Sequence, residues 1–465
     1  MDIRDIPSAG SIVTVHQKDM SMRGTVMPSM NEKTLILKLE SGYNVGIDVE
    51  NMTSIFLEKG PSLKKEERSA VKDSAQMINI SDDKRRALPV ISILHTGGTI
   101  ASKVDYETGA VKAQYNPAEI VQMFPELTGI ASIRSRLIAN MSSDDMRFAH
   151  YNIIAKAIEE EIGRQAQGII LTQGTDTIHY TSAALAFLLQ NIRIPVVIVG
   201  SQRSSDRGSS DAALNLIGAA LFISEAIKKG LGEENKEGLA GVFICMHASS
   251  EDHACAILRG VNARKMHTSR RDAFRPINTG LVAQVIPTER PAERVRFCVP
   301  EDALVPHGKF IKHAFDEQLR IGIIKSHPQM YAAEFKAYDG FDGLVIEGTG
   351  LGHIPITASD APTKEHALIK EAVRDLASRM PLVMSAQTIY GMIDMNVYSP
   401  GRELIEMGIL GNYSTMTPET TFIKLAFALS RFAKEGNGRE RIREFMKTNI
   451  IGELPGRIDQ DSFLL

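Results

Sequence analysis

The sequence predicts an α/β protein with two parallel-sheet domains, preceded by a small all-β barrel. From residue 88 onward, runs of β-branched residues alternate with amphipathic helical patterns, which is typical of parallel sheets covered on both faces. Before that point, short strand patterns separated by turn residues fill about sixty positions. Gly60 and Pro61 end the strand patterns and precede a mixed-charge segment, so we expect a boundary there.

The N-terminal module is predicted over residues 1–60. Leu35, Leu37 and Leu39 alternate with other residues, as in a partly buried strand. Five short strands suggest a closed barrel, because closure removes exposed edges. The strand patterns are Ser11–Gln17, Arg23–Met27, Thr34–Glu40, Tyr43–Val49 and Thr53–Leu57. A module this small leaves little room for chemistry, so packing or docking is its expected role, and residues 61–87 form a charged linker.

A large α/β domain is predicted over residues 88–310 and a smaller one over residues 311–465. A proline-rich stretch near residues 287–317 interrupts the alternation and is interpreted as the connection. The strand patterns are Pro89–Leu94, Gly168–Leu171, Pro195–Val199, Gly241–Cys245, Arg320–Lys325, Gly343–Glu347 and Pro381–Met384. The helical patterns are Asp145–Ile162, Asp176–Gln190, Ser209–Ile227, Lys364–Ser378 and Pro418–Ala433.

Composition excludes several classes of protein. Hydrophobic residues make up 43% and charged residues 23% of the 465 positions, an ordinary globular mixture. The formal net charge of −3 argues against a protein that depends on bulk attraction to phosphate. Three cysteines rule out a disulfide framework, and the charged start lacks a secretory pattern. The apolar runs are too short to span a bilayer, so we expect a cytoplasmic protein.

Three polar clusters follow strand patterns, where ligands of open parallel sheets bind. They are His95-Thr-Gly-Gly-Thr-Ile-Ala-Ser102, Thr172-Gln-Gly-Thr-Asp-Thr177 and Ser142-Ser-Asp-Asp145. The first matches neither common nucleotide-binding glycine pattern. A threonine beyond two glycines suits a nucleophile beside backbone N–H donors, but a polar turn that starts a helix is the alternative. Each cluster taken alone favours the polar turn.

A threonine hydroxyl needs a proton acceptor to act as a nucleophile. His95 is the nearest candidate in the chain, although its place at the end of a buried strand is more typical of a core or hinge histidine. Asp176 lies beside Thr175, and Lys265 would complete a proton relay if it were partly desolvated. The alternative for this lysine is a solvated surface position, and the residues alone do not decide.

Two cysteines and two histidines occur close together, in Cys245-Met-His247 and His253-Ala-Cys255. Structural zinc sites usually have two to four residues between cysteines and three to five between histidines. The spacing here is atypical, so the sequence predicts an ordinary loop and no metal site.

With these residues in view, the chain resembles the L-asparaginase/glutaminase family from about Pro89 to Phe432. The two motifs that carry the resemblance are TGGTIAS at 96–102 and GTDT at 174–177, in that order. The resemblance extends to one archaeal branch of the family, the D subunits of glutamyl-tRNA(Gln) amidotransferase. The parts that carry this extension are the first sixty residues, the charged linker, the string from Arg264 to Phe274 and the segment 385–399. The resemblance implies an asparaginase-like two-domain fold after the barrel.

The family's site residues are carried over by motif. The resemblance implies four catalytic residues, with Thr99 as the nucleophile: Thr99, Thr175, Asp176 and Lys265. It implies four substrate-binding residues, with Tyr106 on a lid: Gly98, Tyr106, Ser143 and Asp144. A glutamate that the family takes from a neighbouring subunit has no match in this chain. Gln173 stands where many members have another residue.

The resemblance also implies the reaction and the partners. Glutamine would be hydrolysed through an ester on Thr99, and the ammonia would pass to an E subunit that amidates Glu-tRNA(Gln). No cofactor or metal is expected in this chain, whereas ATP and Mg²⁺ are expected in the partner. The implied assembly is a heterotetramer built on a homodimer of this chain.

Two rival functions stay open. A free-standing L-asparaginase/glutaminase would share all the chemistry, and the N-terminal module speaks against it. A non-catalytic scaffold that binds an amino acid is the other, and the intact set of catalytic residue types speaks against it.

Overall fold

A computed structural model gives the architecture of the chain. The structure describes residues 7–8, 10–18, 20–27, 33–39, 44–59, 88–98, 102–104, 111–113, 124–203, 210–231, 239–286, 288, 290, 293–299, 308–458 and 462–463. The predicted linker at 61–87, the predicted nucleophile Thr99 and the predicted lid residue Tyr106 lie outside the described residues.

The N-terminal module is one antiparallel sheet, and the predicted all-β region is confirmed. Its strands are β1 (Ile12–Gln17), β2 (Met20–Met27), β3 (Thr34–Leu39), β4 (Asn44–Asp48) and β5 (Ser54–Lys59). They lie in the order β4-β3-β2-β1-β5. The strands share one buried core, because alternate side chains point to the same face. Its members include Val13, Val15, Val26, Leu35, Leu37 and Ile47.

The rest of the chain alternates strands and helices. The longer strands are β6 (Val90–His95), β9 (Ser132–Leu137), β10 (Gly168–Thr172), β12 (Pro195–Val199), β13 (Gly241–His247), β14 (Cys255–Arg259), β20 (Ile321–Lys325), β21 (Gly343–Gly348) and β22 (Leu382–Ala386). The short strands are β7 (Ser102–Val104), β8 (Val111–Ala113), β11 (Leu189–Gln190), β15 (Ala263–Lys265), β16 (Phe274–Pro276), β17 (Ala283–Val285), β18 (Val295–Phe297) and β19 (Ile311–Lys312). The helices are α1 (Phe148–Gly163), α2 (Ile178–Leu188), α3 (Ala212–Leu231), α4 (Ala332–Lys336), α5 (Glu365–Arg379), α6 (Ser399–Glu406), α7 (Pro418–Phe432) and α8 (Gly438–Lys447).

The large sheet has eight strands in the order β18-β17-β14-β13-β12-β10-β6-β9. The ladders from β9 to β13 are parallel, as the sequence predicts. The ladders from β13 to β18 are antiparallel, so the sheet is mixed and has an antiparallel half that the sequence pattern does not indicate. The seven residues between β13 and β14 suffice for a hairpin but not for a crossover helix. The proline-rich stretch that was expected to be a connection contributes β18.

Helices cover both faces of this sheet. On one face, α1 and α2 bury side chains such as Ile158 and Leu185 against β10 and β12. On the other face, α3 buries Leu216 and Phe222. The central strands appear in the sequence as continuous apolar runs because both of their faces are buried.

A second, parallel sheet has the order β20-β21-β22. Helices α4 and α5 pack on one face through Phe335 and Val373. Helix α7 packs on the other face through Leu425 and also enters the core of the large sheet through Phe427. Helix α7 therefore lies between the two sheets.

Two helices that follow predicted site residues begin later than the sequence pattern indicates. The helix predicted from Asp145 begins at Phe148, and the one predicted from Asp176 begins at Ile178. Single 3₁₀ turns, Ser143–Asp145 and Thr175–Thr177, occupy the intervening residues. Both turns carry predicted site residues. Across the described residues, every helix is too short or too polar to cross a bilayer.

Candidate functional site

Three loops converge at the carboxyl ends of β6, β9 and β10, neighbouring strands of the large sheet. After β6, Thr96 donates its backbone N–H and its hydroxyl to the carbonyl of Thr172, at 3.1 and 3.0 Å. The carbonyl of Thr96 accepts a bond from the N–H of Met141 at 3.0 Å, in the loop after β9. Backbone bonding therefore fixes the three polar segments beside one another.

The two glycines after Thr96 let the loops approach closely. Gly97 and Gly98 have φ angles of 108° and 86°, which favour glycine. A Cβ atom on Gly97 would lie 2.5 Å from the carbonyl oxygen of Met141. Gly98 packs directly on the loop after β10. Any other residue at these two positions would push the loops apart.

Lys265 contacts two neighbouring polar side chains of the site, Thr175 and Asp176. Its Nζ donates to Thr175 Oγ1 at 2.9 Å and to Asp176 Oδ1 at 2.7 Å. The lysine side chain is only 10% exposed, whereas the Asp176 side chain is 68% exposed. Because Thr175 accepts a bond from Lys265, its own hydroxyl proton remains for another acceptor. The arrangement can move a proton between lysine, hydroxyl and a bound molecule.

A short hairpin, β15–β16, carries Lys265, which pairs with Phe274 across the ladder. In the loop of this hairpin, the carboxylate of Asp272 binds Arg270 and Arg275, with contacts of 2.7 to 2.9 Å. These interactions, led by the hydrogen bond from Arg270, hold the pKa of Asp272 below its usual value. The charged loop therefore fixes the strand that delivers the lysine.

Ser143 and Asp144 lie in the 3₁₀ turn after β9. The Ser143 side chain is buried against Gly174, where an added Cβ would lie 3.0 Å from its hydroxyl oxygen. The Ser143 carbonyl accepts a 2.6 Å bond from the Thr177 hydroxyl. Asp144 is exposed, and a bond from the Ser142 hydroxyl lowers the pKa of its carboxyl group. The turn thus offers a hydroxyl and a carboxylate beside the Thr175 loop.

Gln173 lies buried between these elements. Its amide nitrogen donates to Thr177 Oγ1 at 3.3 Å. Its side-chain carbonyl oxygen is buried and has no hydrogen-bond partner among the residues that the structure describes.

His95 is a core residue and not a base for the site. Its ring nitrogens bond the hydroxyls of Thr172 and Ser135 at 2.8 and 2.7 Å. Burial lowers the pKa of this histidine to about 4, so the ring is neutral near pH 7. Of the two interpretations of the sequence, the core histidine is therefore confirmed.

The Cys and His group has ordinary partners. His247 is buried and bonds Asn215 and Asp252, at 2.6 and 3.1 Å. The thiols of Cys245 and Cys255 donate to backbone carbonyl oxygens of α3 at 3.3 and 3.4 Å. Within the described ranges, no three His, Cys, Asp or Glu side chains are grouped as a metal site would require.

Sequence reasoning missed three charged or polar residues behind Lys265. Arg264, the residue before it, contacts Glu419 at 3.1 Å, and the ring of His179 lies 3.9 Å from the same carboxylate. The available signal was a glutamate in the first turn of a helix whose later residues are mostly apolar, after the Thr417-Pro418 start. Only the fold shows that this glutamate lies behind the lysine.

Three known protein families match successive parts of the chain. The family described as "Asparaginase, N-terminal" matches residues 90–295, and "Glutaminase/Asparaginase C-terminal domain" matches residues 320–446. The family described as "GatD N-terminal domain" matches residues 8–57.

Solved structures share the fold. The thermostable L-asparaginase from Thermococcus kodakarensis is 30% identical, with a TM-score of 0.64, and the match covers 79% of this chain and 99% of that one. L-asparaginase I from Vibrio cholerae gives a TM-score of 0.63 at 22% identity, over 79% of this chain and 99% of that one.

Curated relatives match almost the whole chain. The D subunit of glutamyl-tRNA(Gln) amidotransferase from Methanococcus maripaludis strain C5 is 36% identical over 451 residues, which are 96% of this chain and 97% of the relative. The D subunit from Thermococcus kodakarensis is 35% identical over 467 residues, 98% of this chain and 96% of the relative. The chain therefore belongs to the family of glutamyl-tRNA(Gln) amidotransferase D subunits, which has an asparaginase-like fold.

Proposed function

We propose that the chain is the glutamine-hydrolysing subunit of a glutamyl-tRNA(Gln) amidotransferase. The observation that carries the proposal is the contact of Lys265 with both Thr175 and Asp176, beside the glycine turn at 97–98. A nearly buried ammonium between a hydroxyl and a carboxylate suits proton transfer during acyl transfer. Family membership indicates the amide substrate and the tRNA-dependent reaction.

The reaction has two steps. The Thr99 hydroxyl oxygen attacks the side-chain carboxamide carbon of glutamine and forms a glutamyl ester, and ammonia leaves with the proton from that hydroxyl. Water then attacks the ester, which releases glutamate and restores Thr99. Backbone N–H groups of the turn and the Thr175 hydroxyl stabilise the oxyanion, while Asp176 and Lys265 move protons through Thr175.

The charged α-amino and α-carboxylate groups of the substrate bind the loop after β9. The Ser143 hydroxyl forms a hydrogen bond with the α-carboxylate or the α-amino group of glutamine. The exposed Asp144 carboxylate attracts the α-ammonium group. Gly98 permits the close approach of the loops, and Tyr106 closes the site as a lid residue. This chemistry requires no cofactor in the chain.

The ammonia is used by a partner. An E subunit uses ATP and Mg²⁺ to activate Glu-tRNA(Gln), which ammonia converts to Gln-tRNA(Gln). Two copies of this chain form the homodimer core of a cytoplasmic heterotetramer. The tRNA binds mainly through the partner, which agrees with a formal net charge of only −3 here.

The proposed domain organisation has four segments: a barrel at 1–60, a linker at 61–87, the catalytic domain at 88–310 and a smaller domain at 311–465. Separate sheets before residue 60 and after residue 320 support it. Strand β19, at residues 311–312, pairs with β11 of the catalytic domain. This pairing supports a passage of the chain from that domain to the smaller one just beyond these residues.

The test is ammonia release from glutamine and from asparagine, measured for the chain alone and with the E subunit, Glu-tRNA(Gln), ATP and Mg²⁺. We expect preference for glutamine and strong stimulation by the full mixture. Rapid release without the partner, especially from asparagine, would indicate a free-standing amidohydrolase. Calorimetric binding of glutamine with no ammonia release, even in the full mixture, would indicate a scaffold.

Thr99→Ala is the variant that tests the nucleophile. We expect it to abolish release of ammonia while the protein keeps its fold, since loss of a threonine hydroxyl costs only about 1 kcal/mol even where that threonine caps a helix. Turnover close to that of the unaltered chain would exclude Thr99 as the nucleophile.

A further inference from the structure

Strand β15, which carries Lys265, contacts the start of helix α7 on its other side. Successive side chains of a strand point in opposite directions, so Lys265 and its neighbour Arg264 diverge. Lys265 reaches Thr175 and Asp176, whereas Arg264 Nη2 reaches Glu419 Oε1 at 3.1 Å. The position of the lysine therefore depends on what holds the arginine.

Glu419 is a buried carboxylate at the start of α7. It is 5% exposed, and it lies in the first turn of the helix, where the helix dipole favours negative charge. His179 Nε2 lies 3.9 Å from the same Oε1 atom. Burial lowers the pKa of His179 to about 3, so its ring is neutral, and Arg264 is the cation that Glu419 holds.

The histidine connects the same carboxylate to the other half of the site. His179 belongs to α2, which begins directly after the turn Thr175–Thr177. Glu419 therefore contacts the strand that carries the lysine through Arg264, and it lies beside the helix that follows the threonine and the aspartate.

A neighbouring hydrogen bond reinforces this arrangement. Thr420 Oγ1 donates to the carbonyl of Val261 at 2.8 Å, two residues before β15. Because α7 also packs on the second sheet through Leu425, the start of this helix joins the smaller domain to the segment that delivers Lys265.

We propose that Glu419 is a positioning residue, which holds Arg264 so that Lys265 Nζ meets both Thr175 and Asp176. The inference rests on the proposed amide hydrolysis, for which it adds a residue outside the reacting groups. Misplacing a proton-transfer group by about 1 Å can reduce a rate by roughly 100-fold. Substrate binding by Ser143 and Asp144 does not pass through this contact.

The experiment compares Glu419→Gln with Glu161→Gln. Glu161 is also buried, at 2% exposure, and pairs with Arg164 at 3.0 Å. It lies near the end of α1 and accepts a hydrogen bond from Ser92. Ser92 precedes the carboxyl end of β6, so this pair is separate from the site. Glutaminase kcat and KM are measured per folded molecule in the complete complex. We expect Glu419→Gln to reduce kcat by about 30-fold with KM changed by less than about 3-fold. We expect Glu161→Gln to keep kcat.

Two further variants keep the inference open to refutation if Glu419→Gln does not fold. Glu419→Asp retains the charge with a shorter side chain, and we expect an intermediate loss of kcat. In Arg264→Gln combined with Glu419→Asp, we expect no additional loss beyond that of Arg264→Gln alone, because both changes act through one contact. Equal kcat in Glu419→Gln and Glu161→Gln, or additive losses in the double variant, would overturn the positioning role.

Failure of this inference is distinguishable from failure of the proposed function. If the unaltered complex releases no ammonia from glutamine, the function is wrong. If it does, and kcat in the Glu419 variants equals that of the unaltered chain, only the positioning role is wrong.

Discussion

Gly98 and Gly174 pack backbone against backbone, so that a Cβ atom on Gly98 would collide with the amide nitrogen of Gly174. Backbone atoms cannot give way as the end of a flexible side chain can. The two segments that carry the family motifs therefore fit together because position 98 is a glycine, while an added Cβ on Gly174 would lie against Ser143. This packing sets the distance between the loop at 96–98 and the loop that carries Thr175.

Gly98→Ala should therefore separate the two loops. We expect kcat/KM for glutamine to fall at least about 100-fold, since displacements near 1 Å at a catalytic site can have that effect. Ammonia release at several glutamine concentrations measures it. Gly163→Ala is the matched control, because nothing lies within 4 Å of a Cβ there, and it should keep full activity. Full activity in Gly98→Ala would show that the loop contact is dispensable.

Lys265 should be required as a proton-transfer group and not only as a charge. Lys265→Met removes the donor to Thr175 and Asp176, and we expect kcat to fall about 100-fold or more. Lys265→Arg keeps the charge but cannot release a proton, so it should remain comparably impaired. Substitution of the exposed Lys336 by Met serves as the control. An active arginine variant would favour a purely electrostatic role.

His95 should make stability depend on pH. Its pKa is about 4 in the folded protein, below the ordinary value of 6.5, because the ring is buried. The unfolded chain then binds more protons between these values, so the free energy of unfolding falls as the pH decreases from 6.5 to 4, by about 3 kcal/mol from this residue. In His95→Gln we expect a slope smaller by roughly 1 kcal/mol per pH unit, measured by urea unfolding at pH values of about 5 and 6. Identical slopes would contradict the assignment.

The buried pair of Lys424 and Glu453 should be costly to break on one side. The two side chains are fully buried, with Nζ and Oε1 2.6 Å apart, and Glu453 also accepts the backbone N–H of Ile450. Lys424→Met leaves an uncompensated buried carboxylate and should lower the free energy of unfolding by about 3–5 kcal/mol. Urea unfolding measures the loss.

A matched control uses an exposed pair. Lys228 contacts Glu225 at 3.2 Å with 65% of its side chain exposed, so Lys228→Met should cost less than about 1 kcal/mol. Replacing both members of the buried pair by Met and Leu should recover part of the loss, since no unpaired charge remains, although the N–H groups of Ile450 and Ile451 lose their acceptor. Equal costs at the two lysines would show that burial does not set the cost.

The fold was predictable wherever burial leaves a continuous pattern. Strands β6, β10, β12 and β13 lie within two residues of their predicted bounds, because strands buried on both faces appear as apolar runs. The antiparallel half was not predicted, because strands of three residues such as β17 give no measurable period.

For the site, local motifs indicated Thr175 and Asp176 as candidates, but their contact with Lys265 depends on a hairpin that the sequence pattern did not reveal. The lysine was placed in the site by resemblance, and the structure brings its Nζ within 2.9 Å of Thr175. Glu419 was missed because its partner Arg264 is distant in sequence. Such pairings are set by the packing of two sheets, which no local window contains.

The mixed topology of the large sheet has a consequence for the order of folding. Thr175 follows a strand of the parallel half, Lys265 follows a strand of the antiparallel half, and 90 positions separate them. A contact between distant parts of a chain requires closure of a long loop, which costs entropy before the contact stabilises the fold. Such contacts therefore form late. A chain that is still being synthesised, or is only partly folded, has no hydrolytic centre. Under the proposed function, ammonia would then be released only by completely folded chains.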